Sequence, residues 1–304
     1  MRKILIALVA VIAIDVAAIF LVPPLPADPA GQFQFPADAI AANLEVPPPH
    51  VVWDFAPNDP ATGMLQFHPS ISSTILTSWI VIALILIVMI GATRRMKVIP
   101  GRVQNLVEFA YESLENFAIG MGGAAAKRYV PLFAALFLYI LFSNWIGLVP
   151  PVGKVEFLRA PSSDLNITAG LALVSFSIFH IEGVRVLGLR GYLSKFFPIG
   201  EFRNGIGAGV IGMFVGLVEL LLEFVKPLTL SMRLFGNIFG GEVALGVLTA
   251  LTVAIVPLFM VGLEVLLNLV QALIFSVLTL MFTLAAIEGH PAEEHPAGHE
   301  PVTA

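Results

Sequence analysis

Long apolar runs separated by short polar breaks occupy most of this 304-residue chain. Ile71 to Ile90 is long enough to cross a hydrocarbon core of about 30 Å at about 1.5 Å per residue, and Tyr129 to Val149 and Ile167 to Leu187 read the same way. Two later stretches, Gly205 to about Gly241 and Leu251 to about Ile287, are longer than a perpendicular crossing needs, which predicts tilt, a kink or both. Pro227, Gly236, Gly240 and Gly241 supply breaks in the first, and Pro257 and Gly262 lie early in the second. A different period follows Pro100, where Val103, Leu106, Val107, Ala110, Leu114 and Phe117 recur at helical spacing while Glu108, Glu112 and Glu115 keep away from most of that stripe. That pattern predicts an amphipathic helix lying along the cytoplasmic surface. Ser162, Ser163 or Asp164 is placed to cap the helix that begins near Ile167.

A further apolar run, Ile4 to Val22, is broken only by Asp15 and closed by Pro23-Pro24. With Met1-Arg2-Lys3 ahead of it, it reads either as a signal peptide or as an uncleaved anchor. The small-residue site Ala37-Asp38-Ala39 lies far beyond the apolar core, which favours the anchor; Asp15 is assigned no function. The chain thus divides into an anchor or signal segment (1–22), an exposed Pro/Ala-rich segment (23–68), a membrane domain (69–288) and a disordered tail (289–304). Trp53, Phe55, Phe67 and His68, just ahead of the Ile71 run, read as interfacial anchors. His290, His295 and His299 in the tail are explained by solvation, and no metal site is assigned.

Composition agrees, with 58% hydrophobic and 12% charged residues against roughly 25% charged in ordinary soluble domains. There is no cysteine, which excludes disulfides, thiolate catalysis and Cys-based metal sites. No basic arm interleaved with aromatics appears, so nucleic acid is not an expected partner. Of the 16 Lys and Arg, twelve fall on one side (Arg2, Lys3, Arg94, Arg95, Lys97, Arg102, Lys127, Arg128, Arg185, Arg190, Lys195, Arg203) and two on the other (Lys154, Arg159). The positive-inside rule makes the richer side cytoplasmic and gives six spans with both termini inside, or five if the first run is cleaved.

Lys226 and Arg233 remain. Lys226, before Pro227, reads as a residue snorkelling to one end of its span. Arg233 stands in apolar sequence, and a guanidinium does not shed its proton on burial, so at bilayer depth it needs polar partners or water. Candidate partners are Glu219, Glu223, Asn237 and Glu242, then Glu264, Asn268 and Gln271. At about 100° per residue, Glu219, Arg233 and Asn237 share a face. Glu242 is half a turn out of phase and joins them only if the glycines bend the chain. Glu264, Asn268 and Gln271 form a second stripe at i, i+4, i+7. Two facing stripes make a polar path in which carboxylates carry protons and amides hold water. An arginine there acts as a fixed charge that displaces a proton from an approaching carboxylic acid and blocks a leak. His180 and Glu182, near the basic end of their span, fit a packing or surface role as well as a proton role.

The run Lys226-Pro-Leu-Thr-Leu-Ser-Met-Arg233-Leu-Phe-Gly-Asn237-Ile-Phe-Gly-Gly-Glu242 resembles subunit a of the F-type ATP synthase. Glu264 to Gln271-Ala-Leu-Ile-Phe, Val98-Ile-Pro-Gly-Arg and Pro161-Ser-Ser-Asp-Leu-Asn166 support the resemblance, which spans roughly residues 70 to 288. It implies an all-α polytopic membrane protein of five to six transmembrane helices, the last two long, tilted and packed against a ring of c subunits. It further implies two offset half-channels, with Arg233 facing the ring carboxylate, Asn237, Glu242 and Gln271 on the periplasmic-side path and Glu219 on the cytoplasmic-side path. Some bacterial members carry His where this chain has Glu264, so a Glu242 and Glu264 pair here shares the titratable role. The implied partners are the c-ring, peripheral-stalk b subunits, the remaining synthase subunits and the lipid bilayer, in a bacterial inner membrane with the C-terminus cytoplasmic. No cofactor and no catalytic site of its own are expected, and no GxxxxGK[ST] loop occurs. A sodium-translocating version of the subunit is the alternative. A secondary transporter would call for internal repeats, which are not seen, and a membrane scaffold would use the buried charges only as a brace.

Overall fold

The computed structural model describes residues 50–54, 70–94, 96–149, 158–251 and 255–288. The readings of the first apolar run, of Phe55, Phe67 and His68, of Lys154 and of the His-containing tail lie outside those residues. Two short strands, β1 (Val51–Asp54) and β2 (Ser70–Ser72), pair antiparallel and lead into the first helix. Six helices follow: α1 (Ser73–Thr93), α2 (Arg102–Ala126), α3 (Val130–Ile146), α4 (Leu165–Phe196), α5 (Ile206–Leu251) and α6 (Ile255–Ile287). Five of the helical stretches among the described residues are long and apolar enough to cross a membrane, α2 running into α3 as one of them. The protein is therefore a mostly helical polytopic membrane protein, as its apolar pattern predicts.

α1 is covered at its start largely through polar residues and leaves much of its apolar second half exposed. Its first turns bury Ser73, Thr74, Thr77 and Ser78, whereas Ile87 and Ile90 are exposed. The buried hydroxyls are placed against partners: Thr74 Oγ1 donates to Asp164 Oδ2 at 2.8 Å, and Ser78 shares a 2.8 Å bond with the Tyr139 hydroxyl of α3. Asp164 is the residue that caps α4, accepting from Asn166 N at 2.8 Å. One carboxylate thus starts α4 and ties it to α1. Trp53 stands exposed in β1, beside the start of α1.

α2 forms as predicted, but its stripe is only partly covered. Val103 and Leu106 remain 60% and 67% exposed, while Gln104 and Ala118 turn inward. Gln104 has a local reason, since its side chain both accepts from Lys97 N and donates to Lys97 O. The helix kinks at Gly123, whose φ of 62° suits a residue without Cβ, and after its last turn the chain passes through Lys127–Tyr129 into α3. α4 runs past the predicted end near Leu187 by the same device. Gly188 at φ 72° turns it back, and Lys195 Nζ then donates to the Ala285 and Ala286 carbonyls at 3.0 and 3.2 Å. A cation on the last carbonyls of α6 satisfies acceptors that have no intrahelical donor.

Two apolar clusters hold the bundle together. Ala118, Val130, Phe133, Leu280 and Leu284 join α2, α3 and α6. Ile140, Ala172, Leu230, Leu234 and Phe275 join α3 to α6 around the middle of α5. α5 is a single helix of 46 residues that continues through Pro227 and through Gly236, Gly240 and Gly241, and no residue within it has positive φ. Of the glycines predicted to break it, Gly236 and Gly240 leave its surface bare, and Gly241 lies against Glu264 of α6. The close approach lies at Gly216, where a Cβ would stand 2.2 Å from the Phe196 carbonyl, so α5 can lie against the end of α4 only with glycine there.

Candidate functional site

α5 and α6 run antiparallel, and the polar residues of one meet those of the other at matching distances from their junction. Asn237 Nδ2 donates to Asn268 Oδ1 at 2.9 Å. Glu264 packs against Gly241, where a Cβ would stand 2.9 Å from Glu264 Oε1, so a bare backbone on α5 makes room for a carboxylate from α6. Glu264, Asn268 and Gln271 are 7%, 4% and 6% exposed and line the inward face of α6 at the i, i+4, i+7 spacing read from the sequence. Glu264 Oε1 and Gln271 Nε2 are enclosed without a hydrogen-bond partner among the described residues. A cavity of about 320 Å³ opens between these helices and α3, bordered by Asn144, Asn237, Glu242, Glu264 and Asn268. Space of that size with several convergent polar groups accommodates water.

Glu242 occupies this cavity by a route that the single stripe did not foresee. Nine residues beyond Arg233 on an unbroken helix, it points to the opposite side and meets Arg159, whose Nη2 lies 3.2 Å from Glu242 Oε2. Arg159 Nε also donates to Ser163 Oγ at 3.0 Å, and Arg159 N donates to Thr77 Oγ1 at 3.3 Å. The loop before α4 therefore folds inward and presents its arginine to α5. Sequence reading placed Arg159 among the aqueous charges. The available signal was its position four residues before Ser163, in the run that continues into Pro161-Ser-Ser-Asp-Leu-Asn166. Asn144, 1% exposed with neither amide atom hydrogen-bonded among the described residues, is a second residue that the sequence reading did not single out.

The predicted stripe on α5 divides. Asn237 faces the cavity, Arg233 faces outward, and Glu219 lies half-buried near the beginning of the helix. Arg233 makes no hydrogen bond or ion pair among the described residues, with Gln271 or any other, and stands beside exposed Met232 and Gly236, with Leu228 62% exposed on the same helix. Lys226 is a correction to the reading from sequence. It does not snorkel to an end; it turns into the bundle, pairs with buried Glu223 and lies over the rings of Phe179 and Phe282 at 5.6 and 5.0 Å. Glu223, one turn away, offers the nearer negative charge.

Fold and site together define a polytopic helical membrane protein with a polar, ionisable cavity between its last two helices. Residues 75–283 match the family model described as ATP synthase A chain. A relative from Gloeobacter violaceus, named ATP synthase subunit a, is 32% identical over 248 residues, covering 79% of this chain and 90% of the relative. Another of that name from Moorella thermoacetica is 33% identical over 220 residues, covering 72% and 93%. The chain belongs to the ATP synthase A chain family.

Proposed function

We propose that this chain is the stator side of a proton path through the membrane sector of an ATP synthase. Membership of the family supports an ion-translocating role alongside other synthase subunits. One observation carries the finer reading: two carboxylates and three amides border a single cavity between α3, α5 and α6, while Arg233 stands outward on an apolar face. On this reading protons reach the cavity from the periplasm, move by way of Glu242 and Glu264 with Asn237, Asn268 and Gln271 holding water, and load a carboxylate on a rotating c-ring seated against α5 and α6. After rotation they leave on the Glu219 side toward the cytoplasm. Arg233 keeps the two routes apart, because a permanently protonated guanidinium meets the ring carboxylate as an ion pair and passes no proton itself. The chain works in a bacterial inner membrane with its Arg-rich ends and C-terminus cytoplasmic, and the peripheral-stalk b subunits hold it still. Nucleotide chemistry belongs to the partner subunits.

In vesicles containing the assembled synthase, Glu242→Gln and Glu264→Gln should each slow ATP-driven acidification, and the double replacement should slow it more than either. Unchanged acidification in both single variants would remove these residues from the path.

A further inference from the structure

About five helical turns along α6 from Asn268 of the cavity, a charged cluster stands that the proposed path does not use. The carboxylate of Glu182 on α4 is its centre. Glu182 Oε1 accepts from Arg185 Nη1 at 2.8 Å, and Oε2 accepts from the Tyr129 hydroxyl at 3.2 Å and lies 3.4 Å from Arg128 Nη2. Arg128 and Tyr129 belong to the short turn ahead of α3, so the cluster joins α3 to α4. Gly183 fixes its depth, since a Cβ there would stand 3.0 Å from the carbonyl oxygen of Ala286, one residue before α6 ends. At that level the apolar spans give way to basic residues, and lipid headgroups begin.

Two guanidiniums share one carboxylate, which leaves one positive charge in excess. A brace between α3 and α4 needs no second cation, because Arg185 and Tyr129 already supply a donor to each oxygen of Glu182. The side chains of Arg128 and Arg185 are 63% and 67% exposed, against 12% for Glu182. Both are nevertheless held: Arg185 by its hydrogen bond, and Arg128 between the carboxylate and the Tyr129 ring, 5.8 Å from the ring centroid. A guanidinium offers five N–H donors in a planar fork, and Glu182 is the one acceptor that either arginine reaches among the described residues. Nearby, Lys127 is paired with Glu115 at 3.9 Å, so the excess charge stays with the two arginines. Apolar side chains flank them, for Ile181, one turn before Arg185, and Val186 and Leu189 after it are all exposed.

We propose that this cluster binds an anionic phospholipid of the leaflet at the Arg-rich end. Its phosphodiester sits on Arg128 and Arg185, and an acyl chain lies along Ile181 and Val186. The single negative charge of a phosphodiester cancels the excess, and a guanidinium fork reaches two phosphate oxygens at once. A zwitterionic lipid brings no net charge and gains less. The site moves no proton and stands independently of the roles given to Arg233 and the cavity.

The test takes the assembled synthase in detergent, depleted of lipid, and titrates it with short-chain phosphatidylglycerol or with phosphatidylcholine of the same chain length. Native mass spectrometry then counts lipid on this subunit. The parent should retain phosphatidylglycerol in preference to phosphatidylcholine. Arg128→Gln and Arg185→Gln should each weaken that retention roughly fivefold, and the double replacement should erase the preference. Glu182→Gln keeps the proposal testable if the arginine variants assemble poorly. It removes the negative charge, so the preference should persist or grow, whereas a cluster that serves only as a brace would show no preference to begin with. Equal retention of the two lipids by the parent, an unchanged preference in the double variant, or loss of the preference in Glu182→Gln would overturn the proposal. Inorganic phosphate is the remaining arm: it should leave the lipid in place, and displacement at equal concentration would mark a site for a soluble anion and overturn the lipid assignment.

Discussion

At the scale of single residues, the site depends on which side chain holds a carboxylate and which leaves space for one. Arg159 and Glu242 are 15% and 32% exposed at the side chain, so their pair is partly screened but not a free surface bridge. Arg159→Ala should cost about 1–3 kcal/mol through the unpaired carboxylate it leaves, read as a lower thermal midpoint of the purified complex, together with slower proton pumping. Arg159→Lys should restore the charge but not both links, since an ammonium lacks the guanidinium fork that reaches Glu242 and Ser163 at once. Gly241 gives the opposite case. Alanine would favour the helix by about 0.5–1 kcal/mol, yet its Cβ would stand 2.9 Å from Glu264 Oε1. Gly241→Ala should leave the thermal midpoint near the parent value while slowing pumping, because a flexible carboxyl end moves aside more readily than a helix. A midpoint drop with unchanged pumping would contradict this role. The residue types of the site were legible because charges and amides stand out in apolar sequence. Arg159 and Asn144 were not, because one sat in a loop and the other beside a tryptophan at a span's end, and only the fold turns them inward.

At the scale of elements, spans and their order followed from hydropathy, because a bilayer requires apolar helices of a set length. Their ends did not follow so well. α4 and α5 run beyond the apolar stretches, since helix hydrogen bonds continue wherever packing or water allows, and α4 goes on to Phe196 past the turn at Gly188. The α5 glycines were misread as breaks for a related reason: glycine permits a bend but does not impose one, and neighbours decide. Asp164 is the element-level hinge of the outer half, capping α4 and accepting from Thr74 of α1. Asp164→Ala should lower stability by about 1–3 kcal/mol through a lost cap and a lost buried hydrogen bond, leaving the Thr74 hydroxyl only its link to Ser72. Asp164→Asn, which keeps a side-chain acceptor, should recover part of it. Thermal unfolding of the two variants in the same detergent measures both.

At the scale of the whole molecule, polar residues meet inside while apolar ones are left uncovered. Phe214, Leu221 and Leu228 of α5 are each at least 60% exposed, and Leu266 of α6 is 56% exposed. Lipid accounts for such a surface around α1, but the face of α5 also carries Arg233, a cation that hydrocarbon alone does not support. That combination is what the c-ring reading explains. Arg233 was the first residue to stand out in the sequence as needing a function. The fold sharpened its position from a member of an internal stripe to an exposed charge, one turn from the Asn237 that borders the cavity. The most direct measurement is ATP-driven acidification of vesicles containing the assembled synthase with Arg233→Ala, at assembly matched to the parent. The account predicts that acidification disappears while the complex remains intact; acidification at the parent rate would contradict it.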